Sequence, residues 1–222
     1  ALIYAANNGH AHAVQALLAV GADMEAKDNR ERTALMYAAH KGHADAVQTL
    51  LAVGADMEAM DAEGHTAMRW AARMGEVDIV KALIQHGANG VNELMAAARN
   101  NREMAATLIQ AGADGTAALL ELAGQGSRQR LKLLIGLGAD KVKDDEGKTA
   151  LMRAVEMAAP GNDKVLKALL AAGADTTIQD NEGKTAKEHA DELVATSGNR
   201  AAYLAFIEAA TRNSPGAWRF WR

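Results

Sequence analysis

The chain has 222 residues, 49% of them hydrophobic, a formal net charge of −4 and no cysteine. The acidic balance argues against a general affinity for nucleic acid phosphates. The missing thiols exclude disulfides and cysteine chemistry, and no apolar run approaches the roughly 18 residues of a membrane-spanning helix. Three Trp, three Tyr and two Phe are few for this length, so the core has to be built from Ala, Leu, Met and Val. The absence of cysteine names no compartment; an intracellular one is the expectation.

The chain begins inside a repeated pattern. Ala1-Leu2-Ile3-Tyr4-Ala5-Ala6 aligns with Ala34 to Ala39, without the threonine that opens the next copy. There is no initiator methionine and no signal peptide, so the expectation is a piece of a longer protein with residues upstream. Residues 9–28 and 42–61 differ only at His12/Asp45, Ala16/Thr49 and Lys27/Met60, leaving 20 − 3 = 17 identities. Such likeness points to recent duplication.

The complete copy runs from Thr33 to His65. Thr33 stands where an N-cap belongs, its hydroxyl facing free backbone N–H groups. Leu35, Ala38 and Ala39 recur at helical spacing, and Gly42 ends that helix. Val47, Leu50 and Leu51 mark a second helix, and Gly54 takes the left-handed position after it. Asp56 to His65 is polar and reads as a turn. The next copy, Thr66 to Ala88, keeps the frame with Gly75, Leu83-Ile84 and Gly87.

Then the period changes. The glycines that end the second helices are Gly21, Gly54, Gly87, Gly112, Gly138 and Gly173, at steps of 33, 33, 25, 26 and 35. The two short steps keep both helical stripes, Leu94-Met95 with Leu108-Ile109 and Leu119-Leu120 with Leu134-Ile135. What they lose is the polar turn, so short connections without strand pairing are expected at 89–93 and 114–118. The long step adds residues around Pro160-Gly161. The last copy opens at Thr185 and places Lys187 where leucine is usual, as suits a terminal repeat. Tyr203, Phe206 and Ile207 predict a closing helix, and Trp218, Phe220 and Trp221 lie in an aromatic and basic tail.

A 33-residue unit of helix, break, helix and turn resembles the ankyrin repeat. The residues that carry the resemblance are Thr33-Ala34-Leu35-Met36-Tyr37-Ala38-Ala39, Gly42-His43, Leu50-Leu51 and Gly54-Ala55-Asp56. Ala34 replaces the proline of the family motif and Met36 its histidine, which removes a source of hydrogen bonds between repeats. The resemblance implies an all-α ankyrin-repeat solenoid of helix–turn–helix units with β-hairpin loops, two hairpinless repeats in the middle and a C-terminal helical cap. The expected division is a single array over 1–212, with repeats at about 1–32, 33–65, 66–88, 89–114, 115–143 and 144–180, a cap at 181–212 and the tail at 213–222.

No motif signals an enzyme. Gly147-Lys148-Thr149 and Gly183-Lys184-Thr185 share the end of a phosphate-binding loop, but Val142 and Ile178 stand where its first glycine belongs. Gly124-Gln125-Gly126 has Gln129 in place of the third glycine of a dinucleotide fingerprint. His10, His12, His40 and His43 lack the thiolates or spaced carboxylate usual at zinc, and Asp144-Asp145-Glu146 lacks the alternating ligands of a calcium loop. It reads instead as a solvated hairpin tip. No catalytic residue, cofactor or metal is expected.

Tyr4, Tyr37 and Trp70 recur at intervals of 33 and so share one position in three successive repeats. That position lies off the stripe of Leu35, Ala38 and Ala39. Two readings stay open, an exposed column that binds a partner or rings that fill space between repeats. The resemblance implies a non-enzymatic protein–protein interaction module that uses the concave face of the first repeats. Its candidates are Tyr4, Tyr37 and Trp70, with His40, Lys41, Arg69, Arg73 and Met74 on the first helices and Asn29, Arg30, Arg32, Glu63 and His65 on the hairpins. The expected partner is a protein, without nucleic acid or a membrane span, and with a homo-oligomer through the first repeat as a further option. The alternatives are a structural spacer or oligomerisation unit, or a regulatory or inhibitory domain of a larger protein.

Overall fold

The computed structural model describes residues 1–159, 163–202, 204 and 205. The loop expected around Pro160-Gly161, the closing helix marked by Tyr203, Phe206 and Ile207, and the tail lie outside the described residues. Thirteen α-helices are found among the described residues: α1 (Leu2–Asn7), α2 (Ala11–Ala19), α3 (Ala34–Lys41), α4 (Ala44–Ala52), α5 (Ala67–Met74), α6 (Val77–Gln85), α7 (Val91–Asn100), α8 (Arg102–Ala111), α9 (Gly115–Gly124), α10 (Arg128–Gly136), α11 (Ala150–Glu156), α12 (Lys164–Ala172) and α13 (Ala186–Ser197). Two compact units divide the chain. One holds Ala1–Ala97 with Glu103–Ala113, and the other holds Ala98–Arg102 with the described residues from Asp114 onward.

The helix starts are where threonine dictates. The Oγ1 of Thr33, Thr66, Thr149 and Thr185 accepts a hydrogen bond from the backbone N–H three residues on, at 3.4, 3.2, 3.5 and 3.4 Å. Each such cap stabilises its helix by about 1 kcal/mol. The ends are set by glycine. After α4, the Gly54 N–H donates to the Leu51 carbonyl and the Ala55 N–H to the Leu50 carbonyl, with Gly54 at φ 87°. This double closure satisfies carbonyls the helix leaves free, and glycine adopts it without strain.

In the first unit the leading helices α1, α3 and α5 pack as one row, and the trailing helices α2, α4 and α6 as a second. Small residues make the close approach possible. Ala38, Ala39, Ala46 and Ala71 are fully buried, and Val47, Leu50, Ile79 and Leu83 fill the space between the rows. Gly42 is glycine for reasons of both backbone and neighbour. It ends α3 at φ 76°, and a Cβ there would stand 2.7 Å from the Glu76 carboxylate of the next repeat. Met36, which cannot serve as the family's histidine does, is buried as plain volume.

Acidic side chains tie successive repeats together behind the turns. The Glu25 Oε1 accepts the Asp56 N–H and the Glu58 Oε1 accepts the Asn89 N–H, each at 2.9 Å. His43 lies over Gly9, with its Nε2 3.1 Å from the Asn7 carbonyl.

The connections are short and unpaired, as expected, but shorter than 89–93 and 114–118, since α7 begins at Val91 and α9 at Gly115. Asn89-Gly90 links α6 to α7 after Ala88, and the Asn89 side chain accepts the Val91 N–H. In the second unit Asp114 caps α9 directly, accepting the Ala117 N–H at 2.9 Å. The aspartate that elsewhere leads into a turn thus starts the next helix, which is why the step shortens. Also within this unit, α9 packs on α10, α11 and α12, and α11 packs on α12 and α13. Asp140, in a short 3-10 turn over Ala139–Lys141, accepts the Asp175 N–H and repeats the acid-to-amide tie.

Candidate functional site, the leading-helix face and its turns

Each hairpin is a five-residue turn opened by aspartate. Asp28, Asp61, Asp144 and Asp180 donate their N–H to the carbonyl four residues on, at 3.1, 3.0, 3.0 and 2.9 Å. The Oδ1 of each accepts two N–H groups of its own turn, those of the third and fifth residues. No ribbon of strands follows among the described residues, where Gln179 and Thr185 form an isolated bridge.

The second carboxylate oxygen does something else. In every case Oδ2 takes a hydrogen bond from the side chain nine residues on, in the helix that follows. Tyr37 Oη donates to Asp28 at 2.7 Å, Trp70 Nε1 to Asp61 at 3.0 Å and Arg153 Nε to Asp144 at 2.6 Å, and His189 Nε2 lies 2.7 Å from Asp180. One aspartate thereby shapes the turn with one oxygen and pins it to the leading helix with the other. The aromatic column is the donor half of this clasp.

That finding corrects one expectation. Trp70 does not stand on an open groove. It is 9% exposed, because residues from the turns and helices beside it fold over the ring. His40 and His65 meet it edge to face, with centroids at 4.8 and 5.2 Å, and the guanidinium of Arg32 lies 4.5 Å from its centroid. Arg73 approaches from outside at 5.7 Å. Of the two readings, the filling of space between repeats describes Trp70. Tyr37 is half-buried, with Arg32 at 5.9 Å from its ring. Tyr4 is 72% exposed. The column therefore grades from open at Tyr4 to closed at Trp70.

The other candidates fall into two groups. Asn29, Arg30, Lys41, Glu63, Arg69, Arg73 and Met74 are exposed, Met74 by 49%. Arg32, His40 and His65 are half-buried around Trp70 and Asp61. All belong to the first unit. The four aspartates are not distinguished in the sequence, where Asp61 and Asp144 read only as parts of polar turns. Their constant offset of nine to Tyr37, Trp70, Arg153 and His189 was the available signal.

The charges follow from this packing. Burial works to raise the Asp61 carboxyl, but the N–H of His65, the indole of Trp70, the nearby His65 ring and the N–H of Glu63 outweigh it and hold the group below the usual range. Arg32 Nε lies 3.5 Å from the same carboxylate. His40 is pushed down by burial and then by Lys41, Arg32 and Arg73. Burial raises the Glu93 carboxyl at the start of α7.

Asp61, Glu63 and His65 bring one ligand atom each within 4.8 Å of one another. The donor set nevertheless suits a turn and not an ion. Asp61 spends both oxygens on N–H donors, with a guanidinium beside it. The fifth turn position, where His65 stands, holds Arg32, Lys148 and Lys184 in the other turns.

Comparison with known proteins places this architecture. A profile of ankyrin repeats matches residues 2–93, 47–117 and 94–180. The chain belongs to the ankyrin-repeat family, whose repeats serve as protein–protein interaction modules and are generally non-enzymatic. No curated protein matches the chain. Among solved structures, a chain in the complex of a predatory endopeptidase from Bdellovibrio bacteriovorus with an immunity protein is 26% identical, over 96% of this chain and 98% of that one, with a TM-score of 0.46. No helix among the described residues is long and apolar enough to cross a membrane.

Proposed function

We propose that the protein is a non-enzymatic binding module whose partner, itself a protein, docks on the concave face formed by α1, α3, α5 and the turns at 28–32 and 61–65. The observation that carries this reading is the contrast along the column. Tyr4 and Met74 leave apolar surface open at the rim, while Trp70, pinned to Asp61, gives the face a rigid floor. Binding hot spots favour aromatic and arginine side chains on pre-organised surfaces. The contact residues in this reading are Tyr4, Tyr37, Lys41, Arg69, Arg73 and Met74, with Asn29, Arg30 and Glu63 at the tips. Arg32, His40, His65 and Trp70 position them.

A library of random displayed peptides, selected on the full chain, tests this. Tyr4→Ala and Met74→Ala should each weaken the selected binders about tenfold, a loss of about 1.4 kcal/mol, with melting unchanged. Binders indifferent to both changes but lost on Val20→Asp or Val53→Asp, at the ends of α2 and α4, would overturn it.

Self-association is a second reading with its own observation. Leu17 and Leu18 of α2 are half-buried, whereas their counterparts Leu50 and Leu51 are 0% and 6% exposed. Sedimentation equilibrium decides it, with a dimer that Leu18→Asp dissociates as the supporting result and a monomer at high concentration as the refuting one.

A further inference from the structure

The leading helices α1, α3 and α5 carry Lys41, Arg69 and Arg73 and no carboxylate, in a chain whose net charge is −4; the next leading helix, α7, opens with Glu93, whose carboxyl feels the charge of Arg69. Among the described residues, these three and Arg30 at the first turn tip form no ion pair. Three cations of the second unit are placed differently. Arg153 of α11 pairs with Asp144, Glu146 and Glu156, at 2.6, 2.9 and 3.1 Å. Lys148 pairs with Glu146 and Glu156, and Lys184 with Glu182 and Glu192, at 3.2 and 2.9 Å. Arg153, Lys148 and Lys184 are thus held in close ion pairs, whereas Lys41, Arg30 and Arg73 are not, and Arg69 meets a carboxylate only at longer range, that of Glu93.

Of the acidic residues of the first three repeats, Asp28 and Asp61 are engaged in the turn clasps, Glu63 stands at a turn tip and the Glu76 carboxylate lies against Gly42. Asp45 and Asp78 start the trailing helices α4 and α6, and Glu25 and Glu58 are engaged in the ties between repeats. Arg73 rests over the Trp70 ring, which holds its guanidinium in place without neutralising it. A planar guanidinium offers paired N–H donors that fit a carboxylate in two-pronged fashion. Tyr4 and Met74 flank the cations with apolar surface.

We infer that the partner presents a carboxylate-rich protein segment with interspersed apolar side chains to the face of α1, α3 and α5, an inference that rests on the concave-face reading above. Glutamate or aspartate side chains of that segment pair with Arg69, Arg73 and Lys41, and its apolar residues lie against Met74 and Tyr4. A nucleic acid is the poorer fit. Four cations without a close ion pair are few for a phosphate backbone, and Tyr4 is the one strongly exposed ring on the face, whereas single strands are held by several stacking platforms.

The test uses the isotope-labelled full chain at low salt, read by backbone amide shifts. The probes are a peptide of alternating Glu and Leu, the same peptide with Gln for Glu, and a thymidine oligonucleotide of equal length. The Glu–Leu peptide is expected to shift amides of α3 and α5 and to bind about tenfold tighter than the Gln–Leu peptide. Added salt should reduce that preference. The double variant Arg69→Gln with Arg73→Gln, its fold checked by circular dichroism, should abolish it. Equal affinity of the two peptides at the same amides would overturn the anionic partner while leaving the concave face as the binding surface. Peptide shifts confined to α2, α4 and α6, or none on α3 and α5, would overturn both. Tighter binding of the oligonucleotide than of the Glu–Leu peptide at α3 and α5 would likewise overturn the inference, in favour of nucleic acid.

Discussion

The Nε1–H of Trp70 donates to the Oδ2 of Asp61 at 3.0 Å, inside a shell made by Arg32, His40 and His65. A buried carboxylate is tolerated only when its oxygens are engaged, and here the indole satisfies the one that the turn does not. Removing the ring empties the shell and releases that oxygen. Trp70→Ala should therefore destabilise folding by about 3–5 kcal/mol. Trp70→Phe keeps most of the volume and loses the donor, at a cost of about 1–3 kcal/mol. Urea denaturation measures both, and a loss below 1 kcal/mol for the alanine variant would mean that the clasp does not stabilise the repeat.

The first turn carries a defect the others lack. Its fourth residue, Glu31, has φ 59°, whereas the same position is Gly64, Gly147 and Gly183 in the other three turns. A side chain in the left-handed region costs about 1–2 kcal/mol. The contact of Glu31 with Lys27, at 3.8 Å and well exposed, offsets little of it. Glu31→Gly should stabilise the protein by about 1 kcal/mol, less than the full strain because glycine loses more freedom on folding. A shift of the denaturation midpoint to higher urea is the expected result.

Acid should loosen the same clasps. The backbone N–H of Lys184 leads the groups that hold Asp180 at about 2, against burial and with help from the His189 ring and the N–H of Glu182. The folded value lies below the unfolded one, near 3.9. The stabilisation is therefore complete above about pH 4 and is lost as the pH falls through about 2. Asp28, Asp61 and Asp144 are lowered in the same sense. Denaturation across pH should show the gap between wild type and Asp180→Asn constant above pH 5 and shrinking below pH 4, these bounds being about half a unit wide. His40, pushed down by burial, adds a component present above its unfolded value of about 6.5 and lost below it, which His40→Gln should remove.

What the sequence made legible is what a single residue decides. The threonine caps and the glycines after α2, α4 and α6 were readable because a hydroxyl beside free N–H groups, or a backbone at positive φ, has one favoured residue type. The shortened middle was readable because losing a polar turn changes a period. The fate of Trp70 was not readable from its helix. Positions 37 and 70 lie off the stripe of Leu35, Ala38 and Ala39, and local periodicity alone leaves them open to solvent. The ring is covered by Arg32 and His65 from two successive turns and by His40 from the preceding leading helix, so its burial is a property of the stack. The aspartates went unseen because a polar residue in a turn already has a local reason to be there.

Partners of the protein are expected to meet the leading helices of the first unit. Photo-crosslinking measures this directly, with p-benzoylphenylalanine placed in turn at Tyr4, Lys41 and Met74, and at Val20, Val53 and Gln85 at the ends of the trailing helices. With a binder selected on the full chain, cross-links are expected from the first three positions and none from the second three. Cross-links from Val20, Val53 or Gln85, with none from Tyr4, Lys41 or Met74, would contradict it.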